Sequence, residues 1–249
     1  MALWCRDFPT VSVPQGAEPK PFTLILPYFE NPNFLRQQIG WWRTYPAHIR
    51  SLVRMSVVDD GSPLFPALPV LRDCDHSLRI DGYRIGVDVR WNWLAARNIG
   101  ARHALTDWLL LTDIDHVLPA STAEALLYGK HDPRVVYAFS RIEHTGEKVQ
   151  PHSASFFMTK QMFWKIGGYD EALSGHYGTD GDYRRRLAKH AKIQILTDRL
   201  IRHEYQGDSS TTAYLRKQPE DAAVKALISK RKPGWKPKVL SFPYEQVFP

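Results

Sequence analysis

Trp108-Leu-Leu-Leu-Thr-Asp113-Ile-Asp115-His116 carries an apolar run straight into two carboxylates and an imidazole. Read as a buried strand that ends in a cleft, the segment delivers oxygen and nitrogen donors to one place. Alternation along the strand sends Asp113 and Asp115 to one side and Ile114 to the other. Two hard oxygen donors suit Mg²⁺ or Mn²⁺ carrying substrate phosphates. The Asp-x-Asp pattern is weak by itself, because Asp73-Cys74-Asp75 and Asp180-Gly181-Asp182 repeat it and a solvated turn uses the same residues. The strand in front of it sets this copy apart.

Upstream, the same arrangement recurs. Phe22-Thr-Leu-Ile-Leu26 reads as a buried first strand bounded by Pro27, with Tyr28 to Asn31 as the loop at its end. Asn31-Pro32 is a helix start, an N-cap followed by proline at the first helical position, and Phe34, Leu35, Ile39 and Trp42 line one apolar face before Pro46 stops the helix. Met55-Ser-Val-Val58 is a second strand, ending in Asp59-Asp60-Gly61-Ser62. Leu78-Arg-Ile80 is a candidate third strand, and Asn92 to Leu105 reads as a helix with Leu94, Ala101 and Leu105 inward. Strands alternating with helices imply a mostly parallel sheet covered on both faces, with ligands bound beyond the strands' carboxyl ends. Tyr28 to Asn31, Asp59 to Ser62 and Asp113 to His116 then share one rim.

Downstream, Val135 to Phe139, Ala154 to Met158 and Ile193 to Leu196 read as strands. Thr159 to Ile166 is a short helix closed by Gly167-Gly168, and Tyr183 to His190 is a helix carrying Arg184, Arg185, Arg186 and Lys189. The expected organisation is an N-terminal arm over 1–21, a first half over 22–118, a second half of the same domain over 119–206, and a basic C-terminal extension over 207–249.

At 249 residues, with 43% hydrophobic and 12% aromatic content, the chain has ample material for a packed core. Thirty-three Lys and Arg against 26 Asp and Glu give a formal charge of +7, which favours polyanionic partners. No apolar run approaches the roughly 18 residues a membrane span needs, and no secretory signal pattern opens the chain. Cys5 and Cys74 form neither a disulfide framework nor a zinc pattern. A cytoplasmic protein is expected.

In their order, these segments resemble the family-2 glycosyltransferases of the GT-A fold. The pieces are the strand ending in Pro27-Tyr28, Val57-Val-Asp-Asp-Gly-Ser62, Ala96-Arg97-Asn98-Ile99-Gly100, Asp113-Ile-Asp115, Gly167-Gly-Tyr-Asp-Glu171, Gly178-Thr-Asp-Gly-Asp182, and His203 after a strand. The resemblance implies an α/β fold with a Rossmann-like, mostly parallel central sheet flanked by helices and a smaller acceptor-side sheet. It makes 22–118 the nucleotide-sugar-binding half, 119–206 the acceptor and catalytic half. The implied activity is transfer of a sugar from a nucleotide-diphosphate donor, a UDP-sugar first among them, to a hydroxyl, with inversion.

Residue by residue, the resemblance places Pro27, Tyr28, Glu30, Asp59, Asp60, Arg97, Asn98 and Asp113 at the donor. It assigns Mn²⁺ or Mg²⁺ to Asp113, Asp115 and His203, with His116 a rival third ligand. Asp180 falls at the catalytic base, although Thr179 stands where the family usually has Glu. Gly168, Tyr169, Asp170, Glu171 and Asp182 fall at the acceptor side.

The chain is also similar to small bacteriophage-encoded transferases, some of which glycosylate hydroxymethylated or hydroxylated pyrimidines in DNA. Lys230-Arg-Lys232, Lys236 and Lys238 flank Trp235, a combination that tracks phosphates and stacks on bases. Duplex DNA is therefore the expected acceptor, with Trp235 in its binding surface. A saccharide or glycoconjugate acceptor is the alternative, and a non-catalytic nucleic-acid-binding protein on the same scaffold is an alternative of another class.

Overall fold

The computed structural model describes residues 18–74, 77–142, 146–176, 178–203 and 221–249. Its ten strands form one sheet in the order β10-β3-β2-β1-β4-β8-β6-β9-β5, with β7 pairing β6. The strands are β1 (Phe22–Tyr28), β2 (Val53–Asp59), β3 (Ile80–Ile85), β4 (Trp108–Leu111), β5 (His116–Val117), β6 (Val135–Ile142), β7 (Lys148–Val149), β8 (Phe156–Thr159), β9 (Lys192–His203) and β10 (Tyr244–Phe248). The strands β3, β2, β1 and β4 are mutually parallel, as the alternation of strands and helices requires. On the other side of β4 the direction reverses, because β8 runs antiparallel to it with Leu111 opposite Phe156. The acceptor-side strands thus continue the central sheet instead of forming a separate one.

Helices cover both faces, and the period of two in β1 shows which face meets which helix. Phe22, Leu24 and Leu26 join a core with Leu35, Ile39 and Trp42 of α1 (Pro32–Thr44), Ile49 of α2 (Ala47–Arg50), Val70 and Leu71 of α3 (Ala67–Arg72), and Leu126 and Leu127 of α5 (Ala120–Tyr128). Ile25 points the other way, to Leu94 and Ala101 of α4 (Trp93–His103), Phe163 of α6 (Lys160–Ile166), Leu187 of α7 (Asp180–His190) and Val224 of α8 (Asp221–Ser229). Among the described residues, no helix is long and apolar enough to cross a membrane.

Local signals explain where elements begin and end. Asn31 caps α1, its side chain accepting from the Phe34 amide at 3.1 Å, with proline at the first turn. The predicted stop before Pro46 matches the end of α1 at Thr44. Thr159 caps α6 through the Met162 amide, and Gly167 ends it in the left-handed region at φ 95°.

Three expectations needed correction. The first strand does not stop at Pro27. The Ile25 carbonyl faces β4 and the Tyr28 carbonyl faces β2, so by alternation the donor that Pro27 lacks would face β4, whose pairing with β1 ends at Leu111. The third strand is Ile80–Ile85, not Leu78–Ile80; its apolar pattern is broken by Asp81, which is buried against Arg54 of β2 at 2.5 and 2.8 Å. Leu105 is 75% exposed, because α4 ends at His103 and the helical period no longer applies.

Candidate active site

The three expected loops do lie at the carboxyl ends of β1, β2 and β4, which are neighbours in the sheet. After β1, the Tyr28 hydroxyl donates to the Phe65 carbonyl at 2.5 Å, and Glu30 accepts from the Leu64 and Phe65 amides at 2.8 and 3.2 Å. After β2, Asp59 spends one oxygen on the Ser62 amide and the other on the Ala67 amide, at 2.8 and 2.7 Å. These groups therefore shape the loop from Gly61 to Ala67. Asp60 differs: it is buried, its Oδ1 has no hydrogen-bond partner among the described residues, and burial pushes its carboxyl well above the usual range, opposed by the Asn92 amide. Pro27 is a buried strand residue behind this rim.

The carboxylates after β4 do not sit on a strand. Ladder pairing ends at Leu111, and the chain turns at Ile114 and Asp115, closed by the His116 amide on the Asp113 carbonyl at 3.1 Å. Strand alternation therefore does not govern Asp113 and Asp115, a correction to their expected common direction. Gln38 of α1 holds the turn by donating to the Ile114 and His116 carbonyls at 2.8 and 2.6 Å. Asp113 accepts from Arg97 Nη2 at 2.5 Å, whereas Asp115 Oδ1 lies 2.8 Å from His116 Nδ1.

Antiparallel pairing adds a residue that sequence reading missed. The start of β8 lies beside the end of β4, so the segment before β8 brings His152 to the Asp113 turn. His152 Nε2 is 3.4 Å from Asp113 Oδ2, and its ring centroid is 4.2 Å from that of His116. Burial, and then the neighbouring His116, push the His152 imidazole down to about 3, which leaves it neutral near pH 7. Asp113, His116 and His152 each offer one ligand atom within 4.8 Å of the others. His203 pairs with His116 across the β5–β9 ladder. Its side chain lies outside the described residues.

Arg97 and Asn98, expected at the donor, are fully buried on α4. Arg97 Nη1 donates to the Ala154 carbonyl and the Tyr169 hydroxyl at 2.8 and 2.9 Å, and its guanidinium lies 4.6 Å from the Trp93 ring centroid. Asn98 exchanges hydrogen bonds with the Tyr169 backbone, both at 2.8 Å, and donates to Glu171 at 2.8 Å. Both residues staple the loop after α6 to α4. Gly168, at φ 66°, lies so close that a Cβ there would meet Asn98 Oδ1 at 2.8 Å.

The expected acceptor carboxylates are also engaged internally. Asp170 accepts from Arg231 Nη2 at 2.7 Å and from the Lys238 amide at 2.9 Å. Glu171 accepts from the Leu240 and Ser241 amides at 2.8 and 2.7 Å. Asp182 is bound by Arg231 Nη1 at 2.5 Å and Arg186 Nε at 3.0 Å. Together they moor the C-terminal segment, whose β10 completes the sheet beside β3. Trp235 is covered by the Arg231 guanidinium, 3.6 Å from its ring centroid. Asp180 stands apart, half-exposed at the first turn of α7. Its charge and that of Asp113 both act on the buried Tyr169 phenol, which burial, opposed by Arg97, pushes upward.

A parallel half-sheet whose rim carries acidic loops, joined to an antiparallel half that brings His152 to the same rim, agrees with what residues 47–219 match: the profile described as Glycosyl transferase family 2. The chain belongs to that family. Its fold is of the GT-A type, as the order of its motifs implied. Solved structures similar to it include S. aureus TarS 1-349, with a TM-score of 0.59 at 15% identity over 74% of this chain and 60% of that one. TarS 1-349 in complex with UDP-GlcNAc gives 0.61 at 14% identity over 78% and 61%. The family-2 chain thus spans about 60% of the length of that TarS chain, and the likeness speaks for the fold. No curated protein sequence matches it.

Proposed function

We propose that this family-2 chain transfers a sugar from a UDP-sugar to a hydroxyl of a polyanionic acceptor, by a single displacement with inversion. The observation that carries the reading is the row of loops at the carboxyl ends of β1, β2 and β4, where buried Asp60 keeps an oxygen without a hydrogen-bond partner among the described residues and Asp113 converges with two imidazoles. The UDP donor is supported by a fold neighbour, TarS 1-349, whose structure holds UDP-GlcNAc.

Each group has a chemical task. Asp60, buried with an unpartnered oxygen, accepts from a base N–H or a ribose hydroxyl of the nucleotide. Asp180, half-exposed and spared the ion pairs that occupy Asp182, takes the proton from the attacking hydroxyl. The resemblance implies Mn²⁺ or Mg²⁺, and the donor set fits a divalent ion, since a carboxylate and two imidazoles converge within 4.8 Å. When bound, the ion supplies positive charge to the departing nucleoside diphosphate. Arg97 keeps Asp113 oriented from behind, through Nη2 at 2.5 Å.

For the acceptor, the proposal is duplex DNA bearing hydroxymethylated or hydroxylated pyrimidines. Exposed Arg184, Arg185 and Lys189 on α7, the helix that begins at Asp180, support it, as do exposed Lys230, Lys232, Lys236 and Lys238. Trp235 packs under Arg231 and is not needed as a stacking platform. The test is incubation with a panel of nucleotide sugars and either hydroxymethylated duplex or free glycans, with mass spectrometry of both products. Sugar mass added to DNA, with duplex binding that weakens steeply with salt, is expected. Transfer to neutral oligosaccharides without duplex binding refutes the DNA acceptor and favours a saccharide.

A further inference from the structure

We propose that Arg231, in the C-terminal segment, is a positioning residue for Asp180: by holding Asp182 and Asp170 together it sets the first turn of α7 against the loop after α6. The role rests on the reading above that Asp180 takes the proton from the attacking hydroxyl. Arg231 lies beyond residues 47–219, the part of the chain that matches the family-2 profile, so that match does not account for it.

The first turn of α7 has little of its own to hold it. Thr179 stands at the N-cap, yet its side chain makes no capping bond and its Oγ1 has no partner among the described residues. Gly178 precedes it at φ 75°, and Gly181 sits inside the turn with no atom within 4 Å of where a Cβ would lie. Glycine has the most conformational freedom to lose in a helix. Further along, Tyr183 stacks on Tyr169 with ring centroids 4.0 Å apart and Leu187 joins the core, so the body of the helix is fixed. The turn that carries Asp180 is fixed through Asp182. Residues two apart on a helix point roughly 200° from one another, so drawing Asp182 inward turns Asp180 outward. Asp182 is accordingly buried and Asp180 half-exposed.

Two guanidiniums draw Asp182 inward. Arg186 reaches its Oδ2 from within α7 at 3.0 Å and donates through Nη1 to the Ile166 and Gly168 carbonyls at 2.9 and 2.7 Å. Arg231 reaches Oδ1 through Nη1 at 2.5 Å and Asp170 Oδ2 through Nη2 at 2.7 Å. Its head group lies 3.6 Å from the Trp235 ring centroid, and that contact steadies the plane of the fork. Asp170 and Asp182 are both buried, and buried carboxylates repel unless a cation stands between them. Without Arg231 the charge between the loop after α6 and the start of α7 becomes repulsive. A displacement of about 1 Å at a reacting group costs on the order of a hundredfold in rate. The role needs no contact between Arg231 and a substrate.

The experiment measures transfer from a panel of UDP-sugars to hydroxymethylated duplex and to free glycans, using the full chain, Arg231→Lys, Arg231→Ala and Asp180→Asn. Arg231→Lys keeps the charge but not the planar fork. Its urea midpoint should stay close to that of the wild type while kcat falls roughly tenfold to a hundredfold and KM for the UDP-sugar is unchanged. Arg231→Ala should lose stability as well, and guanidinium ion at a concentration too low to denature should restore part of its kcat, a rescue absent from Asp180→Asn. Wild-type kcat in folded Arg231→Lys overturns the positioning role. A loss in both Arg231 variants that follows the folded fraction and ignores guanidinium overturns it too. In either case, lost transfer in Asp180→Asn leaves the base reading standing. Full transfer by Asp180→Asn, or a wild-type chain that transfers from no UDP-sugar, removes that reading and the role of Arg231 with it. If Arg231→Ala does not fold, Arg231→Lys decides alone.

Discussion

Arg97 and Asp113 form an ion pair in which the cation has no exposed surface: Nη2 donates to Oδ1 at 2.5 Å while the guanidinium is wholly buried. The same head group donates to the Ala154 carbonyl, the Tyr169 hydroxyl and the Thr112 carbonyl. One side chain on α4 therefore fixes the end of β4, the approach to β8 and the loop after α6. A planar fork with five donors is suited to this, and an ammonium on a flexible stem is not.

Arg97→Lys follows directly. Lysine keeps the charge but cannot serve four acceptors in one plane, so buried oxygens lose their partner. The expected cost is about 3 kcal/mol of stability, seen as a lower urea midpoint. Because Asp113 loses its orientation, turnover with a UDP-sugar should fall at least tenfold. A variant with wild-type turnover would show that Asp113 is oriented by something else.

Asp180 and Asp182 share a motif but not a role, and their asparagine variants should separate cleanly. Asp180→Asn removes a half-exposed carboxylate with no structural duty in the described contacts, so melting should be unchanged. Transfer should fall by roughly 10²- to 10⁴-fold, the usual worth of a general base, while calorimetry with UDP shows unaltered binding. Asp182→Asn should lose stability first. Equal loss of transfer and of melting temperature in both variants would refute the division.

Asp59 and Asp60 divide in the same way. Asp59 accepts from two buried amides, and Asp59→Asn turns an NH₂ toward one of them, at a cost of about 1–3 kcal/mol. Asp60→Asn has less to disturb, since Oδ1 has no partner among the described residues. Its effect should appear as a raised KM for the nucleotide sugar with kcat nearly kept. The reverse pattern, with Asp60→Asn unfolding the chain and Asp59→Asn altering only KM, would exchange their roles.

Elements with a local signal were legible in the sequence, and contacts set by distant pairing were not. Asn31-Pro32 and the spacing of Phe34, Leu35, Ile39 and Trp42 specify α1 almost completely. The strand β3 is hidden because the acid that breaks its apolar pattern, Asp81, is neutralised by Arg54 from the neighbouring strand. His152 carries no signal of its own; it reaches Asp113 only because β8 runs antiparallel to β4. Asp170 and Glu171 look like free carboxylates in a glycine-rich loop. Their partners are 61 to 70 residues further on, at Arg231, Lys238, Leu240 and Ser241. The three acidic loops at the strand ends were readable because parallel β/α topology fixes which end of the sheet they share.

Asp182 makes the mooring of the C-terminal segment sensitive to acid. Burial pushes its carboxyl up, but the Arg231 and Arg186 guanidiniums more than offset that and hold it below its ordinary value of 3.8. A group whose pKa is lower folded than unfolded binds its proton less readily in the native state. Its contribution is therefore complete above about pH 4 and disappears as the pH falls through the depressed folded value. The urea midpoint, followed by tryptophan fluorescence, should hold between neutral pH and about pH 5 and then decline. In Asp182→Asn, stability at neutral pH should be lower by about 2 kcal/mol, because two half-buried guanidiniums lose their anion. The acid decline should also be shallower than in the wild type, since the group that titrates has been removed. Parallel profiles for the two proteins would mean that the Arg231–Asp182 pair contributes nothing to the acid response and that other carboxylates govern it.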